Sequence, residues 1–526
     1  MKIIFLIVLS YTINFHAKAK TFVYCSEGSP SAFNPQITTD GTSNNAAAHT
    51  IYNRLIEFKY GTTELISGLA SSWEVSKDGK QVTFNLRNDV RFHSTPYFTP
   101  SRNFNADDVL FSFNRQFKKD HPYNKVNGGS YQYWDGMDMS NLVKSIEKIN
   151  EYQVKITLNK AEAPFLANMA MSFMSIISKE YGEKLLAEKT PEKIDHYPIG
   201  TGPFIFKKYV KDSIIRYTAN KNYFDGKPHI DRLVFSITPD ANVRYQKLKT
   251  NECHLIIEPD PADILSMKSN NKLIVLETSG LNVSYLAMNT SKPPFDNELV
   301  RRAINHSLNR DSYIKAIYRG NAIKAKNPIP PNIWGYDNNA NEYKYDVKKA
   351  QGLLKKAGLE DGFNVELWTL PVSRPYNPAG KKMGEMMQAD LAKVGIKVKL
   401  VSYDWPTYLS KSRNGDHQLI QLGWTGDNGD PDNFLHILLG CDGVKAGSNV
   451  ARWCNKSFND LITKAKRITE QNKRSKMYIK AQKIFNLAAP WAPIAHSKVF
   501  RTMSKKVTGY KIDPLGGDIF TKVDIQ

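Results

Sequence analysis

The sequence predicts a layered α/β protein, and three observations carry that expectation. Its 526 residues are 41% hydrophobic, 11% aromatic and 23% charged, which suits a large core and excludes disordered, collagen-like and coiled-coil classes. Short segments alternate apolar and polar residues with the period of a strand. In the C-terminal half, amphipathic helical patterns are followed by strand patterns, as layered packing requires. No repeats or low-complexity linkers interrupt the chain, and its length suits about two to four domains or lobes.

The elements follow in order. Trp73-Glu74-Val75-Ser76-Lys77-Asp78-Gly79-Lys80, then Val82, Phe84 and Leu86 at alternate positions, predict a β-hairpin turning on Asp-Gly. Val154, Ile156 and Leu158 predict a later strand. Asp346 is placed to cap a helix with Val347, Ala350, Leu353, Leu354 and Ala357 on one face, and Gly358 stops it. A second helix through Met386, Met387 and Leu391 ends at Gly395, and Ile396, Val398 and Leu400 follow at strand spacing. Only short Gly/Pro punctuation separates these segments, so tight crossovers between lobes are expected.

Residues 1–19 have the order of an export signal. Lys2 gives a positive start, Ile3 to Leu9 a short apolar core, and Ala17-Lys18-Ala19 a cleavage site before Lys20. That core is far shorter than the roughly twenty residues a bilayer span needs, and no comparable run follows. Phe22-Val23-Tyr24 precede Cys25 where a lipoprotein signal wants small residues. An exported, unlipidated protein that is not inserted in a membrane is therefore expected.

Export makes the cysteines readable, because an even count in an oxidising compartment implies disulfides. Cys25, Cys253, Cys441 and Cys454 allow three pairings and form no C-x-x-C. Cys441 and Cys454 flank a short loop containing Gly and Ser, which pairs them and leaves Cys25 with Cys253.

The 72 basic and 51 acidic residues give a net charge of +21. Such a charge suits nucleic acid, a membrane surface or an anionic envelope. Here the basic residues are scattered among acids and aromatics, with no run of five and no nucleic-acid signature. A solvated basic surface and no nucleic-acid partner are expected.

Catalytic signals are missing. There is no G-x-x-x-x-G-K-[ST], G-x-S-x-G or H-E-x-x-H. Ser269-x-x-Lys272 has no Lys-Thr-Gly partner and reads as a surface turn. His93, His196 and His496 stand singly, without a partner at ligand spacing. No catalytic residue, metal or cofactor is expected, and a binding protein is favoured over an enzyme.

Two clusters stand out. Gly423-Trp424-Thr425-Gly426-Asp427-Asn428-Gly429-Asp430-Pro431-Asp432-Asn433-Phe434 is no EF-hand loop, since its sixth and twelfth positions from Asp427 hold Asp432 and Leu438. One reading is a turn-rich surface loop with three solvated aspartates. The other is a cation site, because a desolvated carboxylate beside an aromatic and two glycines holds an ammonium strongly. In Arg374-Pro375-Tyr376-Asn377-Pro378, one arginine stands in a stiff segment after the strand-like Val365 to Trp368, suited to a carboxylate. By itself that segment reads more simply as a rigid surface loop. Together the clusters offer an anion for an amine and a cation for a carboxylate, as a zwitterion such as a short peptide requires.

These segments carry a resemblance. With Thr21 to Pro30, Gly68 to Val75, Val90 to His93, Phe104 to Val109, Pro198 to Phe204 and Asp513 to Gly516, the chain resembles the periplasmic dipeptide-binding proteins of bacterial ABC importers, within the family 5 extracellular solute-binding proteins. The resemblance implies a two-lobed type II periplasmic-binding-protein fold with an extra subdomain inserted in the N-terminal lobe. It places lobe I at 20–279, with the insertion at about 52–201, lobe II at 280–497 and a return to lobe I at 498–526. Hinge strands would lie near Gly280 to Leu286 and His496 to Val499. It also agrees with the two disulfides.

Carried over by position, the resemblance implies Asp427 for the ligand ammonium and Arg374, assisted by Tyr376, for its carboxylate. The peptide main chain would pair near Thr39 and Gly41 on one lobe and Trp424 and Gly426 on the other. Asp40 departs from the small neutral residue expected there. Short peptides, dipeptides first, and an inner-membrane ABC permease are the implied partners of a periplasmic monomer. Relatives that bind haem, glutathione or longer and antimicrobial peptides share these motifs and stand as alternatives.

Overall fold

The computed structural model describes residues 19–526, so the export signal apart from Ala19 lies outside the described residues. The chain opens with β1 (Thr21–Ser26), which buries Phe22 and Tyr24. It then builds a separate antiparallel sheet from β2 (Ala70–Val75), β3 (Gln81–Leu86), β4 (Val143–Asn150) and β5 (Gln153–Leu158), in the order β2-β3-β5-β4. The β2–β3 hairpin turns where the sequence predicts, with Gly79 at φ +68°, a left-handed angle that glycine adopts without a Cβ penalty. Val82, Phe84, Leu86, Val154, Ile156 and Leu158 all point into one core, as strand period demands. Helix α1 (Ala106–Phe117) packs on β4, and Asn105 and Asp108 form its reciprocal N-terminal cap. A short helix, α2 (Gln132–Gly136), follows.

The chain then returns to β1. β6 (Phe204–Val210), β7 (Ile214–Ala219), β8 (Arg232–Ile237) and β9 (Leu255–Ile257) extend that sheet, with β8 and β9 parallel to β1 on either side. β10 (Leu273–Ser279), β11 (Asn282–Met288) and β12 (Ala322–Lys324) come next. The C-terminal half supplies α3 (Val347–Lys356), β13 (Phe363–Trp368), α4 (Gly380–Ala392), β14 (Ile396–Val401), α5 (Trp405–Asn414) and β15 (Leu419–Thr425). It closes with α6 (Asp432–Leu439), α7 (Lys456–Lys466), α8 (Gln471–Ala488) and β16 (Trp491–Ser504). Asp346 caps α3 by accepting from the Lys349 amide at 2.9 Å, and Gly358 and Gly395 follow their helices at φ +71° and +84°.

β16 is the element that joins everything. Its residues 491–497 pair with β11 and β12, and residues 498–504 pair with β9 and β10. One continuous strand thus serves two groups of strands, in the order β14-β13-β15-β11-β16-β9-β1-β8-β7-β6. The other crossing between them is the Gly280-Leu281 link from β10 to β11. Asn282 ties the two crossings together: the Ser497 amide donates to its Oδ1 at 2.9 Å and its Nδ2 donates to Ser497 O at 3.2 Å.

Both cysteine pairs form as the sequence predicts. Cys25 bonds Cys253 beside Tyr245, Leu248, Ile256 and Met267, with Cα atoms 5.8 Å apart, and so holds β1 to the approach to β9. Cys441 bonds Cys454 across 13 residues.

Candidate functional site

A cavity of about 470 Å³ lies between residues from the first and second halves of the chain, within the roughly 300–1,000 Å³ typical of small-ligand sites. Thr39, Gly41, Arg374, Tyr376, Trp424 and Asp427 all line it. Of the residues expected to bind ligand, Gly426 alone stands behind the wall. Its amide donates to Leu281 O at 2.6 Å, and a Cβ there would come within 2.6 Å of the Phe434 ring. Asp40 caps the single turn Gly41–Ser43 by accepting from the Ser43 amide at 2.8 Å.

Asp427 lies two residues beyond the end of β15, after Gly426. Asn433, in the first turn of α6, shapes this corner, because its Oδ1 accepts both the Asp427 amide at 3.0 Å and Trp424 Nε1–H at 2.9 Å. Across the cavity, the Tyr133 hydroxyl of α2 donates to Asp427 Oδ1 at 2.9 Å. Oδ2 is shut off from solvent and has no hydrogen-bond partner among the described residues. Burial pushes the carboxyl up to about 7, held back in part by Tyr133 and Asn433. A desolvated carboxylate with one oxygen unmet is a strong acceptor for a charged donor.

The other two aspartates of this stretch are not solvated, which corrects the surface-loop reading. Asp430 is buried against Arg474 at 2.8 Å. Asp432 is buried 3.8 Å from Lys466, which also pairs with Glu162 at 2.8 Å. The alternation of Gly and Asp suggested a turn open to water, but α6 begins at Asp432 and carries its carboxylate inward, and Asp430, just before the helix, is turned onto Arg474. Only Asp427 faces the cavity.

At the Arg374 end the loop folds on itself. The Arg374 amide donates to Asn377 O at 3.1 Å and the Asn377 amide to Arg374 O at 2.9 Å. Ser497 Oγ donates to Pro375 O at 2.7 Å and the Tyr318 hydroxyl to Tyr376 O at 2.6 Å, fixing the loop to β16 and its neighbours. The Tyr376 ring packs against Gly423, where any Cβ would overlap it. Its phenol is pushed up to about 12 by burial and stays neutral. The Arg374 guanidinium stands 4.6 Å from the Trp405 ring centroid and forms no ion pair among the described residues.

Several cavity residues escaped sequence reasoning: Tyr133, Gln132, Glu27, Glu258 and Arg413. Glu258 is held at φ +46° and pushed up to about 7, first by burial and then by Glu27, with Arg374 opposing. Tyr133 belongs to the aromatic run Tyr131-Gln132-Tyr133-Trp134, a signal visible in the sequence but without a partner there. Among the described residues, no group of three or more His, Cys, Asp and Glu is placed to hold a metal ion, and no helix is long and apolar enough to cross a membrane. The arrangement is suited to holding a molecule with an ammonium at one end and a carboxylate at the other.

The family profile described as "Bacterial extracellular solute-binding proteins, family 5 Middle" matches residues 64–446. The chain is 50% identical over 519 residues to the dipeptide-binding protein of Escherichia coli (strain K12), covering 99% of this chain and 97% of that one. It superposes with a TM-score of 0.92 and 39% identity on the crystal structure of a dipeptide binding protein from Pseudoalteromonas sp. SM9913 in complex with Met-Leu, covering 96% of this chain and 100% of that one. With the ABC transporter-associated periplasmic binding protein DppA from Helicobacter pylori, in complex with the peptide STSA, the TM-score is 0.90 at 39% identity, covering 96% and 98%.

Proposed function

The chain belongs to the bacterial extracellular solute-binding proteins of family 5, and from that premise we propose that it is the dipeptide-binding component of an ABC importer. Its fold is the mixed α/β fold of periplasmic solute-binding proteins, and its relatives are binding proteins for transport. The observation that carries the reading is the pairing of two unmet charges in one cavity: Asp427 Oδ2 and the Arg374 guanidinium.

In this reading Asp427 takes the peptide ammonium and Arg374 its carboxylate, with Tyr376 beside it. The peptide main chain lies along Thr39 and Gly41 on one side and Trp424 on the other, with Gly426, whose amide is taken by Leu281 O, backing that wall. Fixed separation of the two anchors sets ligand length, because a peptide too long for both leaves a charge buried and unpaired, at a cost of several kcal/mol. Side chains then sit in wetter, adaptable surroundings, which supports broad sequence tolerance.

The lobes are 20–279 with 498–526, and 280–497, an extra subdomain at about 52–201 being inserted in the first. The Gly280-Leu281 link and the Ser497–Lys498 junction of β16 act as the hinge. An open form admits peptide, closure joins Tyr133 to Asp427 and Lys466 to Glu162, and the closed monomer docks on a membrane permease. Export to the periplasm with cleavage before Lys20 completes the reading.

Native mass spectrometry of the protein purified from its own cells tests this. A ladder of adduct masses matching mixed dipeptides is the expected result. A single larger adduct, or haem, would overturn the dipeptide reading and leave the family intact.

A further inference from the structure

Besides Arg374, a second cation on the cavity wall lacks a counter-ion. Arg413, in the last turn of α5, lines the cavity, and no carboxylate lies within 4.0 Å of it among the described residues. Its Nη2 donates to Gln132 Oε1 at 3.0 Å, an acceptor that Thr39 Oγ1 shares at 3.1 Å. Burial alone lowers its pKa. The stem is fixed, for the Gly447 backbone at φ +81° lies so close that a Cβ there would stand 2.8 Å from Arg413 Cβ. Arg452 also donates to the Arg413 carbonyl. The nearby hydroxyls are already engaged: Ser412 Oγ donates to Leu409 O at 2.8 Å and Ser448 Oγ to Ile437 O at 2.6 Å.

Two aspartates share this part of the wall without pairing with it. Asp40 is occupied by the Ser43 amide at 2.8 Å and by Ser31 Oγ at 3.1 Å, and Asp135 is exposed to solvent. A guanidinium that is desolvated, rigid and short of an anion is costly to the empty protein, and a ligand carboxylate removes that cost.

Its place relative to the anchors follows from α2. Gln132 holds Arg413, and the next residue, Tyr133, holds Asp427. Arg413 and the ammonium anchor are therefore both tied to the same turn of α2, through consecutive residues. Arg374 instead stacks on Trp405, eight residues earlier in α5 and about 12 Å away along the helix.

We propose that Arg413 forms a subsite for an acidic side chain on the first residue of the bound peptide, so that among the many dipeptides the cavity accepts, those that begin with Glu or Asp are held more tightly than their uncharged counterparts. The proposal rests on the dipeptide reading above. Calorimetric titration of the mature protein with Glu-Ala, Gln-Ala, Ala-Glu and Ala-Gln tests it. Wild-type protein is expected to bind Glu-Ala at least about tenfold tighter than Gln-Ala, as a charge-assisted pair in a desolvated site allows, and to show no such preference between Ala-Glu and Ala-Gln. In Arg413→Gln the Glu-Ala to Gln-Ala ratio falls toward one. The ratio is taken within each variant, so Gln-Ala binding itself reports a folded site. Arg413→Met, which leaves no buried donor unmet, is read the same way. A wild-type ratio near one, a preference that moves to Ala-Glu, or an undiminished ratio in either variant overturns the subsite. Failure of wild-type protein to bind any of the four peptides overturns instead the dipeptide reading beneath it.

Discussion

Tyr133 and Asp427, 294 residues apart in sequence, meet across the cavity in a hydrogen bond of 2.9 Å. The donor comes from the N-terminal half and the acceptor from the end of a C-terminal strand, so the residue proposed to anchor the ligand also joins the two walls. Nearby, Asn428 Nδ2 donates to Asn168 Oδ1 at 2.8 Å, and Lys466 reaches Glu162. In the proposed mechanism ligand capture and closure therefore draw on adjacent residues, Asp427 and Asn428.

If Asp427 anchors the ligand as proposed, binding is expected to depend on pH through it. Its carboxyl is pushed up to about 7 by burial, and a peptide ammonium needs the carboxylate. Below pH 7 binding must release a proton, so affinity falls as pH drops, by at most about tenfold per unit. Calorimetry at pH 6 in buffers of different ionisation heat is expected to show close to one proton released per peptide, a release that Asp427→Asn abolishes.

Asp427→Asn stabilises the ligand-free protein. The folded value near 7 lies above the unfolded value of about 3.9. Below pH 3.9 the group is protonated in both states and contributes nothing. As pH rises from there to 7 the unfolded chain ionises first, and above 7 the whole burial penalty opposes folding. At pH 8 the variant should melt above the wild type, with the difference vanishing near pH 4.

Gly423→Ala damages the carboxylate end. A Cβ at 423 overlaps the Tyr376 ring and crowds Val283 O, and such overpacking costs about 1–3 kcal/mol. Denaturant titration should show that loss, and peptide affinity should fall with it because Tyr376 is displaced.

Lys466→Met strands two buried carboxylates, Glu162 and Asp432. Breaking a buried pair from one side costs about 3–5 kcal/mol. Urea unfolding measures it, and the Glu162→Gln/Lys466→Met double variant should recover part of the loss.

Much of this was legible in the sequence because it is local. The Asp78-Gly79 hairpin, the Asp346 cap, the glycine stops and the Cys441–Cys454 pair depend on neighbours in the chain. The resemblance brought Asp427 and Arg374 to one cavity. What stayed hidden depends on partners far away. Tyr133 has no meaning until it meets Asp427, and Arg413 is an ordinary helical arginine until Gly447 and Gln132 enclose it. Asp430 and Asp432 looked solvated because their partners, Arg474, Lys466 and Glu162, lie 34 or more residues away. β16 could be read as a hinge near His496 to Val499, but not as a 14-residue strand shared by two groups of strands.

The central claim is that both ends of the peptide are read. The most direct measurement compares the affinities of Ala-Ala, N-acetyl-Ala-Ala and Ala-Ala amide for the mature protein. Masking either terminus is predicted to weaken binding at least about tenfold, since each cap leaves Asp427 or Arg374 buried without its partner. Equal affinity for the free and capped peptides would contradict the account.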